Sequence, residues 1–137
     1  MADRLLLDTC ACLWLTHGDD LRADAMSAVA NAQQVRGVYV SAITAWEVAT
    51  LVAKGRYRLK VPTGLWFARL LDLPGMALAS LTPDVLVASV ELPGEPPADP
   101  ADRMICATAR QHGLAVMTRD RRILEYGAAG HVNTMAC

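Results

Sequence analysis

The chain has 137 residues, of which 53% are apolar, and a formal net charge of −1. This length suits one compact domain over residues 1–137, and no apolar stretch is long enough to predict a membrane-spanning helix. The first residues lack the charged start and long apolar segment of a secretion signal, so we expect a cytoplasmic protein with no membrane partner. Because the net charge is close to zero, any binding of nucleic acid must depend on local basic patches.

Short apolar runs alternate with helix-like patterns along the whole sequence. In chain order, the patterns predict a strand at residues 5–7, helices at 11–15 and 21–34, a strand at 38–40, helices at 43–54 and 62–71, a strand at 76–79, helices beginning at 82 and spanning 99–112, a strand at 114–117, a helix at 120–126 and a candidate fifth strand at 132–135. Strands separated by helices are typical of βα units. The sequence therefore predicts an α/β fold whose parallel sheet is covered on both faces.

Residue types at the helix ends support these boundaries. Ser41 is a favourable N-cap for the third helix, and Gly113 suits a helix C-terminus. Thr82 and Asp99 are each followed by a proline, which is the pattern of a capping side chain and a first-turn proline. Residues 93–100 are rich in proline and predict a surface loop.

Four of the 14 acidic residues stand out by position. Asp8 directly follows the first strand, and Asp120 comes shortly after the fourth. Ligands of open parallel sheets bind beyond the carboxyl ends of the strands, so both acids are expected at the same edge of the sheet. Asp102 lies in the first turn of the helix that leads into the fourth strand, and Glu47 lies inside the helix that follows the second.

Each of these acids also has a purely structural interpretation. Asp8 and Asp120 are able to cap the helices that follow them, and Asp102 suits the first turn of its own helix. Glu47 is the only charge between residues 41 and 53. Its helix is predicted to be largely buried, because apolar side chains spread around most of the axis, at Ile43, Trp46, Val48, Leu51 and Val52. A buried carboxylate needs a partner, for which Lys54 and a metal ion are the candidates.

Four carboxylates at one edge of a sheet also pose an electrostatic problem. Two of them about 4 Å apart repel by roughly 4 kcal/mol at an effective dielectric constant of about 20, and a whole domain is stable by only about 5–15 kcal/mol. Clustered acids must therefore take up protons or bind a cation. Ligands that are all oxygen suit Mg²⁺ or Mn²⁺, and such an ion activates water for attack on a phosphodiester without a protein nucleophile.

The same residues occur in four motifs that resemble those of PIN-domain nucleases. The motifs are Leu-Leu-Leu-Asp8-Thr9, Ser41-Ala-Ile-Thr-Ala-Trp-Glu47-Val, Asp99-Pro-Ala-Asp102-Arg103-Met-Ile-Cys-Ala-Thr-Ala and Val-Met-Thr118-Arg-Asp120. They follow the family's order over nearly the full chain, and the small size resembles the toxin subunit of VapBC-type toxin–antitoxin modules. One departure is Cys10, where many relatives carry a small polar residue.

This resemblance implies a three-layer α/β/α sandwich with a mostly parallel sheet of four or five short strands. It implies endonuclease action on RNA that depends on Mg²⁺ or Mn²⁺. Metal ligation is carried over to Asp8, Glu47, Asp102 and Asp120, with Thr118 as a supporting hydroxyl. Asp99 is an additional acid that either stands in as a ligand or caps the helix. A homodimer and a cognate antitoxin that covers the site are also implied.

Basic side chains in the loop after the Glu47 helix and beside the acids are candidates for contact with RNA phosphates. They are Lys54, Arg56, Arg58, Arg103 and Arg119. Tyr57 offers a ring on which a single-stranded base can stack. A solvated basic loop is the alternative interpretation. Residues 65–71 form an apolar stripe that is mostly core, and any exposed part is a candidate surface for the antitoxin or a second subunit.

Other functions are open from the sequence alone. An aspartyl-phosphate phosphohydrolase would use Asp8 as its nucleophile, but such enzymes usually carry a second acid two residues later, where this chain has Cys10. A binding module that has lost catalysis is the second alternative, and the retention of all four acids disfavours it. A dinucleotide-binding role is poorly supported, since no G-x-G-x-x-G motif follows the first strand. The four cysteines have the spacing of neither a zinc ribbon nor a redox pair.

Overall fold

The computed structural model describes residues 4–18 and 21–137, and strands and helices alternate through these ranges. The elements are β1 (Leu5–Leu7), α1 (Thr9–His17), α2 (Ala23–Gln33), β2 (Val38–Ser41), α3 (Ala42–Ala53), α4 (Thr63–Leu71), β3 (Met76–Ala79), α5 (Pro83–Val90), α6 (Pro100–His112), β4 (Ala115–Thr118), α7 (Arg121–Ala128) and β5 (Asn133–Ala136). The candidate fifth strand is present, and the predicted boundaries agree with these to within about two residues, the usual uncertainty of helix ends.

The five strands form one sheet in the order β3-β2-β1-β4-β5, and all of their pairings are parallel. The central strand β1 pairs with β2 through Leu5 and Val38, and with β4 through Leu5 and Ala115. The chain adds β2 and β3 on one side of β1 and then crosses over to add β4 and β5 on the other. The strand order therefore reverses between β1 and β4, which is where open parallel sheets bind ligands.

Helices cover both faces of the sheet, which confirms the predicted three-layer α/β/α class. Leu5 and Leu7 belong to the core cluster that includes residues of α1, α2 and α4, whereas Leu6 belongs to the cluster formed with α6 and α7. This division follows from the alternation of side chains along a strand. A short apolar run that is buried on both faces is typical of a central parallel strand. Among the helices described, none is long and apolar enough to cross a membrane.

The predicted burial of α3 is wrong. Only Thr44 and Val48 of this helix are buried, and the Trp46 side chain is 64% exposed. The apolar residues do spread around the axis, but Ile43, Leu51 and Val52 are only partly buried against the core, and Trp46 faces solvent. The environment of Glu47 must therefore be judged from its own contacts rather than from the helix as a whole.

Candidate active site

Asp8 lies at the carboxyl end of β1, next to the point where the strand order reverses. Its Oδ1 accepts a hydrogen bond from the backbone N–H of Ala11 at 2.8 Å, which caps α1, and its Oδ2 accepts one from Oγ1 of Thr118 at 2.5 Å. Thr118 is the last residue of β4, the strand beside β1. Burial raises the pKa of the Asp8 carboxyl above its usual value, against the opposing effect of these two hydrogen bonds. The carboxylate is thus held by the start of α1 and by the end of β4.

Glu47 lies on the second turn of α3 and is bonded to the start of α1. Its Oε1 accepts a hydrogen bond from Oγ1 of Thr9 at 2.5 Å. Burial raises the pKa of the Glu47 carboxyl, the bond from Thr9 lowers it, and the charges of Asp99 and Asp8 raise it further. In residues 4–18 and 21–137 Glu47 forms no salt bridge, so the alternative in which Lys54 is its partner is wrong.

Asp102 lies in the first turn of α6, and its carboxyl is strongly perturbed. Burial raises its pKa to about 7, and the charges of Asp99, Asp120, Glu47 and Asp8 act in the same direction. No hydrogen bond to the carboxylate opposes these effects within the described residues. The Asp102 carboxyl is therefore only partly ionised at neutral pH.

Asp120 and Asp99 are exposed and cap the helices that follow them. One oxygen of Asp120, Oδ1, accepts hydrogen bonds from the backbone N–H groups of Arg122 and Ile123 at 2.9 and 3.0 Å, at the start of α7. Oδ2 of Asp99 accepts a bond from the backbone N–H of Asp102 at 2.9 Å, at the start of α6. The negative charges of both carboxylates also raise the pKa of Asp102. Each of them therefore caps a helix and adds to the negative field at this edge of the sheet.

The chemistry of this group suits a hard divalent cation. The carboxylates at this edge and the threonines bonded to them offer oxygen atoms, which Mg²⁺ and Mn²⁺ prefer. In the part of the chain that is described, no three His, Cys, Asp or Glu side chains already lie in an arrangement that could hold a metal ion. Like charges keep carboxylates apart, so the binding of an ion at this edge requires side chains to rotate toward one another.

Arg103 has a structural position that the sequence does not reveal. Its guanidinium donates hydrogen bonds to the backbone carbonyls of Ser89, Val90 and Pro97, at 2.9, 3.1 and 3.2 Å. These bonds tie the end of α5 and the proline-rich loop to the first turn of α6, and so help to place Asp102. The predicted contact of Arg103 with RNA phosphate is therefore disfavoured, because most of its hydrogen-bonding capacity is already used.

The other basic candidates remain at the surface. Lys54, Arg56 and Arg58 are exposed in the segment between α3 and α4. The guanidinium of Arg119 is exposed and lies 4.0 Å from the ring centroid of Trp14, a cation–π contact that fixes it beside α1. All four side chains keep a charge that solvent, and therefore a phosphate group, can reach.

Tyr57 is not the open stacking platform that the sequence suggests. It is half-buried, its hydroxyl forms a hydrogen bond with Nδ1 of His17, and the two rings lie 5.3 Å apart between centroids. Tyr57 therefore anchors the basic segment to the end of α1. This contact joins residues 40 positions apart, so no local pattern in the sequence announces it.

Two hydroxyl groups at the site were not predicted as functional. Thr9 bonds to Glu47, and Thr44 lies 3.2 Å from Thr9 between their Oγ1 atoms. The only signal in the sequence is that Thr9 directly follows Asp8 and that Thr44 precedes Glu47 by three residues, on the same face of α3.

The fold and the acids at its strand-order reversal place the chain in a known class. The family model for the PIN domain matches residues 5–129, so the chain belongs to the PIN-domain family. It is 35% identical to Ribonuclease VapC22 of Mycobacterium tuberculosis (strain ATCC 25618 / H37Rv) over 120 residues, which cover 87% of this chain and 88% of that protein.

Solved structures agree with this assignment. The chain matches VapBC2 from Rickettsia felis, crystallised with a DNA fragment from its promoter, with a TM-score of 0.66 and 13% identity over 96% of this chain and 97% of that one. At that identity the match concerns the fold alone. FitAcB from Neisseria gonorrhoeae matches with a TM-score of 0.61 and 26% identity, over 96% of each chain. The family predicted from the four motifs is thereby confirmed.

Proposed function

We propose that this protein is a Mg²⁺- or Mn²⁺-dependent endoribonuclease and the toxin of a toxin–antitoxin module, acting in the cytoplasm. The observation that carries the proposal is the group of carboxylates where the strand order reverses. Asp8, Glu47 and Asp102 have raised pKa values because they are buried near one another and near further acids. A bound cation would relieve this repulsion. The 35% identity to a protein named a ribonuclease supports RNA as the substrate.

In this mechanism Asp8, Glu47, Asp102 and Asp120 would hold the ion. Thr118 orients Asp8 by donating to its Oδ2. When bound, the ion supplies the positive charge that activates water and stabilises the leaving oxygen of the phosphodiester. Asp102 must lose its proton to bind the ion, and its pKa of about 7 makes that loss accessible at neutral pH. No side chain of the protein acts as a nucleophile.

The aspartyl-phosphate alternative is disfavoured by the surroundings of Asp8. Both of its carboxylate oxygens already accept hydrogen bonds, and the residue is only 6% exposed. Attack on a phosphoryl group requires a carboxylate oxygen that the substrate can approach in line. Cys10 stands where a second acid is expected, but desolvation and the charges of the neighbouring acids raise its thiol pKa to about 11, so the thiol stays protonated at neutral pH and does not replace that acid.

The proposal is tested by a cleavage assay on total RNA. We expect cleavage with Mn²⁺ or Mg²⁺ and its loss in excess chelator, with activity returning when Mn²⁺ is restored. Mapping the ends of the products identifies the cleavage sequence. Intact RNA at every metal concentration would favour the binding module that has lost catalysis, whereas cleavage that persists in chelator would remove the metal from the mechanism.

We further propose that Lys54, Arg56 and Arg58 bind the phosphates of the substrate. Replacing all three by Gln in a cleavage-deficient Asp8→Asn background should weaken binding to a single-stranded RNA oligonucleotide. The slope of the logarithm of affinity against the logarithm of salt concentration is negative, and its magnitude should fall by about 2, since each phosphate contact contributes about 0.7 on single strands. Fluorescence anisotropy at several salt concentrations measures both effects.

The control for this experiment is Arg36→Gln. Arg36 is exposed and lies just before β2, at the edge of the sheet opposite to the acids. We expect its replacement to leave the salt slope within error of the parent protein. A triple variant that binds with the parental slope would exclude the loop from the RNA-binding surface.

The proposed protein partners are a cognate antitoxin and a second copy of the chain. Trp66 and Leu70 of the predicted apolar stripe are buried, while Leu65 is 43% exposed. Leu65 of α4 and Trp46 of the neighbouring helix α3 present apolar surface that either partner could cover. Membership of the PIN-domain family and the 35% identity to Ribonuclease VapC22 support the antitoxin as a partner.

A further inference from the structure

Two buried threonines connect the starts of α1 and α3 beneath Glu47. Thr9 is the first residue of α1, and Thr44 is the third residue of α3. Both are buried. Their Oγ1 atoms lie 3.2 Å apart, and Oγ1 of Thr9 lies 2.5 Å from Oε1 of Glu47. The three side chains therefore form one continuous chain of hydrogen bonds between the two helices.

The direction of this chain follows from counting protons. A hydroxyl group has one proton to donate and two lone pairs with which to accept. The Thr9 hydroxyl uses its one proton to donate a hydrogen bond to the Glu47 carboxylate. Its contact with Thr44 must then be one in which Thr44 donates and Thr9 accepts. Thr44 thereby holds the Thr9 hydroxyl in the rotation that presents its proton to Glu47.

The fold makes this arrangement rigid. Strands β1 and β2 are parallel neighbours, with Leu7 paired to Val40, so α1 and α3 both begin at the same edge of the sheet. A branched threonine side chain has few rotamers in a helix. Glu47, by contrast, has a long side chain with several rotatable bonds, and without a partner it would sample many conformations.

We propose that Thr9 is a positioning residue for Glu47, and that Thr44 holds the Thr9 hydroxyl in place, so that one carboxylate oxygen is fixed and Glu47 is ordered before a divalent cation binds. This inference rests on the proposed function, in which Glu47 is a ligand of that cation. Hydrogen-bonding partners behind metal ligands commonly change metal affinity by about 10- to 100-fold.

Thr9→Val tests the proposal, because valine keeps the shape of threonine and removes its hydroxyl. We expect the dissociation constant of Mn²⁺, measured from the electron paramagnetic resonance signal of free Mn²⁺, to rise by about 10-fold or more. Thr9→Ser restores the hydroxyl and should return the constant to near the wild-type value. Thr44→Val should give a smaller rise, since the Thr9 hydroxyl remains but loses the group that orients it.

Thr108→Val is the matched control. Thr108 is also fully buried, but its hydroxyl donates to the backbone carbonyl of Met104 within α6. Its replacement should lower the melting temperature without changing the Mn²⁺ dissociation constant. If Thr9→Val behaves like this control, Thr9 is merely structural and the proposal is overturned. If Thr9→Val does not fold, the Mn²⁺ dissociation constants of Thr9→Ser and Thr44→Val test the proposal in its place. A wild-type dissociation constant in Thr44→Val overturns the role of Thr44.

The wild-type protein separates this inference from the proposed function. Wild-type binding of Mn²⁺ together with unchanged affinity in Thr9→Val removes only the positioning role. Absence of Mn²⁺ binding by the wild-type protein at millimolar concentration removes the metal site itself, and the positioning role with it.

Discussion

Asp8→Asn is expected to reduce metal-dependent RNA cleavage by at least about 100-fold, since a bound ion contributes several kcal/mol to the transition state and each 1.4 kcal/mol is about tenfold in rate. The amide keeps the size of the side chain. Its oxygen still accepts from the Ala11 N–H, and its nitrogen can donate to Oγ1 of Thr118. The fold should therefore be retained, as checked by circular dichroism and urea unfolding.

The same substitution is expected to keep or increase the free energy of unfolding in the absence of metal. Burial raises the pKa of Asp8, so the ionised carboxylate is less favourable in the folded protein than in the unfolded chain. A neutral amide removes this penalty. Asp24→Asn is the control, because Asp24 is exposed, pairs with Arg22 and lies in the first turn of α2, and it should cleave RNA normally. Full activity in Asp8→Asn would exclude Asp8 from catalysis, and loss of folding would mean that its role is structural.

The stability of the metal-free protein should fall as pH rises from about 4 to about 7. The Asp102 carboxyl has a pKa raised from 3.8 to about 7, so over this interval the folded protein keeps a proton that the unfolded chain releases. The contribution to stability is thus fully present below the unfolded pKa and is lost as pH passes the folded value. Asp8 and Glu47 shift in the same direction. Thermal unfolding in chelator across this range measures the effect.

Metal binding should show the opposite dependence on pH. The ion binds carboxylates, so it competes with protons, and the increase in melting temperature caused by Mn²⁺ should grow as pH rises through about 7. Asp102→Asn should flatten the pH dependence of the metal-free stability and that of the Mn²⁺-induced rise in melting temperature. Asp84→Asn, which replaces an exposed acid in the first turn of α5, should leave both pH dependences unchanged. An Mn²⁺ effect that is constant across this range would remove Asp102 from the site.

The sequence predicts the fold well because its signals are local. Residues 5–7 and 38–40 are continuous apolar runs between helices, and Ser41, Thr82 and Asp99 cap helices in the structure as predicted. The motifs also place the four acids near one edge of a parallel sheet. What the sequence could not decide was whether Asp8 and Asp120 are caps or site residues. In the structure one oxygen of each carboxylate caps a helix, and the role of both residues as metal ligands stays a prediction.

The interpretations that the structure corrects or disfavours depend on contacts between distant segments. Arg103 bonds to carbonyls that precede it by up to 14 positions, and Tyr57 pairs with a histidine 40 residues away. The exposure of Trp46 likewise depends on which elements pack against α3, which a helical pattern does not specify. The roles of Thr9 and Thr44 require knowing that α1 and α3 begin side by side.

The hydrogen bond between Thr118 and Asp8 joins residues 110 positions apart, across the middle of the sheet. During translation, the segment that carries Asp8 leaves the ribosome long before β4 and α7 are made. Proteins of this size are synthesised at about 5–20 residues per second, so a nascent chain spends several seconds with its first acids exposed and its last ones absent. If these acids form the catalytic centre, an unfinished or truncated polypeptide is harmless to the RNA around it.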